Sequence, residues 1–292
     1  MATTTGTLTT SLARQHGLPA ELRALWAVIK REWIIFRRYP SWIIALFIWP
    51  IIFPMAYILS SQALAGPDSG GLLVFEQNAG TTNVIGYIAI GTIIWMWQNI
   101  VLWNVGFSLR EEQLRGTLES SWLSPSWRFS LLLGNSAVQM LTMFIFIGVS
   151  LIEFGVFFGV HFSGQPLLVA LMFLAAIPAI YGLGFAFASV VITAREANAF
   201  VFLVRGIVMI FCGITFPIAV LPGWMQSVSR FLPQTYIIYG FRAAMLNGAD
   251  FQTLLPVYQT LLAFGAFWLL VGFVLFRRME RRARQTGALG QY

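Results

Sequence analysis

Residues 84–128 read VIGYIAIGTIIWMWQNIVLWNVGFSLREEQLRGTLESSWLSPSWR. The first 24 of them, Val84 to Phe107, carry no charged side chain. A helix needs about 20 mostly apolar residues to cross a bilayer. The pattern then changes abruptly, with Arg110, Glu111, Glu112, Arg115 and Glu119 in the next twelve residues. An uncharged run of this length entering a charged connection predicts a membrane-spanning helix that emerges into water.

Five further stretches meet the same length criterion: 42–61, 135–159, 167–193, 199–220 and 255–276. The first is interrupted by Pro50 and Pro54. Composition agrees across all 292 residues, of which 58% are hydrophobic and 10% charged. Soluble domains carry about 25% charged residues, so this chain cannot wet the surface of a globule. A soluble enzyme, a disordered chain and a disulfide scaffold are excluded. The expected fold is an all-α polytopic membrane protein with six spans across 41–276, and no soluble domain fits between them.

Fifteen of the 18 Lys and Arg fall before the first span, in the second-to-third and fourth-to-fifth connections, or after the sixth span. The opposite side holds Arg230 and Arg242, and Arg205 lies within the fifth span. Positive charge gathers on the cytoplasmic side of membrane proteins, so both termini are expected there. The +7 net charge is thereby explained by topology, with no call for nucleic acid. Residues 1–19 have no apolar signal core and are expected as a cytoplasmic tail, with a basic tail at 277–292.

Within 20–40, Leu22, Leu25, Trp26, Ile29, Trp33 and Phe36 recur at helical spacing, with Arg23, Lys30, Arg31 and Arg37 on other faces. This pattern suits an amphipathic helix lying at the inner membrane interface. Pro40 favours a break before the first span.

The chemistry of an enzyme is missing. There is no GxxxxGK[ST] phosphate loop, HExxH or CxxC; the histidines are His16 and His161, and the one cysteine is Cys212. No metal site and no catalytic residue are expected. The one carboxylate within the spans is Glu153, whereas an ion-coupled carrier calls for several.

Two polar segments stand out. In 108–125, the i,i+4 pairs Glu111–Arg115 and Arg115–Glu119 support a short charged helix, which Gly116 weakens and Pro125 ends. Charge spacing alone fits both a lever for a cytosolic partner and a solvated tether. In 221–248, Trp224, Met225, Val228, Phe231 and Leu232 form one helical face and Pro233 breaks it. Two short helices dipping into the outer leaflet, or a surface hairpin, fit that pattern. In the second span, Trp95, Trp97, Gln98, Asn99, Trp103 and Asn104 suit either a translocation path or polar glue between helices.

These segments carry a family resemblance. The chain resembles the permease subunit of type-2 ATP-binding-cassette (ABC) exporters. The cytoplasmic motif E-x-x-x-G-T-L-E with a following Ser-Pro stands as Glu112, Gly116, Thr117, Leu118, Glu119, Ser124 and Pro125. The outer motif is similar at Leu221, Pro222, Trp224, Pro233, Tyr236 and Arg242. The resemblance implies a coupling helix at Glu111 to Ser124, Arg115 included, docking on a separate ATPase subunit. It implies a connecting helix at 20–40, an outer re-entrant helical hairpin at 221–248, and no enzyme activity in this chain. ATP and Mg would sit on two ATPase copies, beside a second permease copy, a homodimer, in the prokaryotic inner (plasma) membrane. The expected cargo is an amphipathic drug-like or lipid-like molecule moved outward. Polysaccharide or lipid-linked glycan export is the alternative within the family, and an ion-coupled carrier or a non-transporting scaffold the alternatives outside it.

Overall fold

The computed structural model describes residues 18–65, 70–116, 129–191 and 197–286. Among these residues all regular structure is helical. The helices are α1 (Leu18–Arg38), α2 (Pro40–Ala65), α3 (Gly70–Ala79), α4 (Val84–Leu114), α5 (Phe129–Phe158), α6 (Pro166–Val191), α7 (Ala197–Phe211), α8 (Gly223–Ser229), α9 (Pro233–Met245) and α10 (Phe251–Thr286). Five of them, α2, α4, α5, α6 and α10, are long and apolar enough to cross a membrane.

Helix α1 has Glu21 in its first turn and Arg37 and Arg38 in its last, the polarity that complements a helix dipole. It stops at Arg38, and Pro40 opens α2, where its missing N–H costs nothing. The expected break at Pro40 is therefore present. The expected interruption of the first span is not: α2 runs unbroken through Pro50 and Pro54. Helix α3, in the connection to α4, was not anticipated from the sequence.

Helix α4 is the axis of the bundle. Its most apolar stretch is 89% buried, against 17% for α2 and 22% for α10, and it contacts α2, α3, α5, α6, α7 and α9. Its polar side chains Thr92, Gln98 and Asn99 are all buried. Groups of this kind are costly against lipid and so favour the interior of a bundle. Asn83 caps the helix, its Oδ1 accepting from the Gly86 N–H at 2.8 Å.

Helix α6 lies against α10 with the backbones close together. A Cβ on Gly182 would fall 2.7 Å from Leu269 N. One on Gly265 would fall 2.6 Å from Pro178 Cβ, and one on Gly272 3.0 Å from the Gly182 carbonyl oxygen. Without lipid-excluding hydrophobic force between them, membrane helices associate through such small-residue contacts.

Three boundaries differ from expectation. Residues 199–220 do not form one long helix: α7 ends at Phe211 and spans about 22 Å at ~1.5 Å per residue. Gly213 at φ 65 turns the chain into the left-handed region that glycine tolerates. The second span does not end at Phe107, because Ser108 to Leu114, the start of the segment 108–125, continue α4 without a break, and 117–125 lie outside the described residues. Finally, the helix of the sixth span does not end at 276: α10 continues to Thr286, into the basic tail, where Arg277 lies 4.4 Å from the centroid of Phe273.

Candidate coupling and translocation site

The functional side chains fall at three levels along α4. At its charged end, α4 finishes at Leu114 and the chain turns through Arg115 to Gly116, at φ 70. Arg115 N donates to Glu111 O at 2.9 Å and Gly116 N to Gln113 O at 3.0 Å. Gly116, which from the sequence weakens the middle of a helix, in fact ends one. The Glu111–Arg115 pair forms as the i,i+4 spacing requires, at 3.1 Å. Thr117, Leu118, Glu119, Ser124 and Pro125 lie outside the described residues.

Glu112 turns inward and is buried. Its carboxylate meets the guanidinium of Arg31 at 3.0 Å, and Arg31 also holds Glu32 at 2.6 Å. Beside it Arg110 Nη1 donates to Gln113 Oε1 at 2.8 Å. Helix α1 is further seated on α5, where a Cβ on Gly134 would collide with the Val28 side chain. Helix α1 and the charged end of α4 are thus mechanically joined. Sequence reasoning singled out Glu112 but not Arg31 as its partner, since 81 residues separate them.

In the middle of α4 the expected group divides between faces. Trp95 stacks on Phe53 of α2 with ring centroids 4.9 Å apart. The Arg205 guanidinium carbon of α7 lies 4.7 Å from the Trp95 centroid, a cation–π geometry. Trp95 Nε1 also donates to Arg205 O at 3.3 Å. One turn on, Asn99 Nδ2 donates to Trp95 O at 2.9 Å. Trp103 stacks on Phe107 and meets Phe202 of α7 edge-on, and Asn104 beside it is half-buried. Trp97 points the other way, stacked on Phe173 of α6 at 4.7 Å. Among the described residues, Gln98 Oε1 has no hydrogen-bond partner.

At the far end, α8 and α9 form the hairpin that the Pro233 break requires. Pro222 caps α8, and Pro233 opens α9 with Leu232 as its cap. Trp224 is exposed and meets Phe211 edge-on at 6.1 Å. Ser229 Oγ donates to Phe211 O at 2.6 Å, tying the hairpin to the end of α7. Tyr236 OH donates to Arg230 O at 3.1 Å.

Arg242 is the anchor of the hairpin. Its Nε and Nη2 donate to Tyr87 O at 3.1 and 2.9 Å. Nη1 donates to Gly213 O at 2.8 Å and Nη2 to Ile214 O at 2.6 Å. The guanidinium carbon stands 3.2 Å from the centroid of Tyr87. The fit depends on Gly91, where a Cβ would collide with the Ile214 carbonyl oxygen. Arg242 was legible as a motif residue; its acceptors on α4 and after α7 were not.

A family model described as ABC-2 family transporter protein matches residues 55–274, most of the chain and all of α4 to α9. The chain belongs to the ABC-2 transporter family. Members of this family are membrane permeases, so the ABC-2 chain is the transmembrane component of an ABC transporter. It is also 29% identical over 130 residues to the linearmycin resistance permease protein LnrN of Bacillus subtilis (strain 168). That alignment covers 44% of this ABC-2 chain and 34% of the relative, so the chain spans about a third of the relative's length there. Among the described residues no group of three or more His, Cys, Asp or Glu is placed to hold a metal ion.

Proposed function

We propose that this ABC-2 permease is one half of the membrane channel of an ATP-driven exporter of amphipathic small molecules. A separate ATPase, two copies per transporter, would dock on the turn after Leu114 and on helix α1. ATP and Mg would act there and not in this chain. Two copies of the permease would rock between inward- and outward-facing arrangements, a rigid-body switch. In this reading α7 and the loop to Val220 make the sixth crossing, both termini are cytoplasmic, and the membrane is the prokaryotic inner (plasma) membrane.

The observation that carries the proposal is the ion pair between Arg31 and Glu112. It lets force applied to the turn at Arg115 and Gly116 pass into α1 and along α4, the most buried helix of the bundle. The drug-like cargo is favoured by the resistance named in the LnrN relative and by the stripe of Trp95, Asn99 and Trp103 beside α7. The test is purification of the tagged full chain from its host in mild detergent. A stoichiometric nucleotide-binding subunit is expected. A chain that purifies alone, with no ATPase activity, would overturn the proposal.

A further inference from the structure

The hairpin end contains a partly open cavity of about 210 Å³, lined by the α3–α4 turn, the loop after α7 and helix α9. Its lining includes the polar side chains of Tyr87, Thr235, Arg242 and Asn247 and the apolar ones of Ile218, Ile238 and Leu246.

Arg242 in this lining is buried. Its charge faces carbonyl oxygens of Tyr87, Gly213 and Ile214 and the ring of Tyr87. Among the described residues no carboxylate pairs with it, and no acidic residue lines the cavity. Carbonyl dipoles satisfy four of its N–H donors but cannot neutralise a full charge. A buried cation of this kind ordinarily has an anion beside it. Of the five Arg242 N–H donors one, on Nη1, is left over from these bonds, and a phosphate oxygen there would supply both an acceptor and the missing negative charge.

We propose that this cavity is a binding site for a phosphate-bearing anion, held by the buried Arg242 in its lining. The mixed polar and apolar lining matches a small organic phosphate whose phosphate sits on Arg242 and whose carbon skeleton lies against Ile218 and Leu246. A phospholipid headgroup or a soluble phosphate ester would share this chemistry. The physiological setting, an outward-facing hairpin, rests on the topology proposed above. Binding itself does not, since both faces of a nanodisc are open.

The experiment uses the full chain in nanodiscs of phosphatidylcholine, at constant ionic strength. One arm titrates phosphatidylglycerol into the disc and the other adds glycerol 3-phosphate, with thermal unfolding and native mass spectrometry as readouts. A saturable rise in Tm with one bound molecule per chain is expected. A response to phosphatidylglycerol alone identifies a lipid headgroup, and a response to both identifies the phosphate ester itself. Asn247, exposed and lining the cavity, provides variants that leave the Arg242 bonds intact. Asn247→Asp should weaken probe binding about tenfold or more, and Asn247→Lys should not weaken it. No saturable response in the wild type would overturn the site. So would equal responses in the two variants, which would place the probe elsewhere, for example on the basic face of α1. Neither result would bear on whether an ATPase co-purifies.

Discussion

The guanidinium of Arg31 lies 3.0 Å from the carboxylate of Glu112, and this contact joins the amphipathic helix α1 to the charged end of α4. The Glu112 side chain is only 9% exposed while Arg31 is 41% exposed. The carboxylate is the sheltered partner, and it depends on the arginine more than the reverse.

Removing that partner should therefore leave a poorly solvated carboxylate. In a double-mutant cycle of Arg31→Ala and Glu112→Gln, unfolding measurements should give a coupling energy of roughly 0.5–3 kcal/mol. Both single variants should insert normally yet transport less per ATP hydrolysed. Transport at the wild-type ratio in Glu112→Lys would remove the coupling role of this pair.

The Arg242 clasp should be intolerant of lysine. Lysine carries the same charge but lacks the planar fork that reaches three carbonyls, and each lost charged hydrogen bond costs about 1.5–3 kcal/mol. Arg242→Lys should lower Tm far more than Tyr236→Phe, which loses one exposed bond to Arg230 O. Equal losses would show that the hairpin is held elsewhere.

The contact between α6 and α10 should punish single methyl groups. Gly182→Ala and Gly272→Ala place a Cβ within 3.0 Å of backbone atoms of the facing helix, and overpacking of this kind typically costs ~1–3 kcal/mol. Gly148 and Gly206 have nothing within 4 Å of an added Cβ. Their alanine variants should be neutral or more stable by about 0.5–1 kcal/mol, as alanine is the better helix former. Thermal unfolding of the four variants in detergent checks the contrast.

Gln98 and Asn99 should separate in their responses. Gln98 Oε1 is buried without a partner, so Gln98→Met should hold or raise stability while shifting which cargoes are transported. Asn99→Leu loses the bond to Trp95 O and should lower stability by about 1 kcal/mol. If Gln98→Met leaves the cargo profile unchanged, the amide is a packing residue.

Asp250 gives a pH signature. The Thr253 hydroxyl and backbone N–H donate to its carboxylate, and these bonds hold its pKa below the ordinary value. A group depressed in the folded state stabilises fully above its unfolded pKa, about 3.9. That contribution is lost as pH falls through the lower folded value. Asp250→Asn should therefore flatten this part of the acid limb of the Tm profile.

Much of this molecule was settled by sequence alone. Uncharged runs such as 84–107 marked the long helices because crossing lipid depends on local length and polarity, which one segment carries by itself. Pro40 and Pro233 set helix starts for an equally local reason, the missing N–H and fixed φ. The Gly116 signal was local too, although whether glycine weakens a helix or ends it depends on the backbone conformation it adopts.

The tertiary structure decided everything that needs two distant segments. No composition shows that Arg31 would find Glu112, that Arg242 would reach back 155 residues to Tyr87, or that Gly182 would face Gly272. Nor could periodicity separate Trp95, turned to α2 and α7, from Trp97, turned to α6, because every face of α4 is apolar and every face is buried. An apolar run specifies that a helix will enter the membrane. Which side chains meet there is fixed by backbone approach and by where unpaired donors find carbonyls, and these exist only once the helices are assembled.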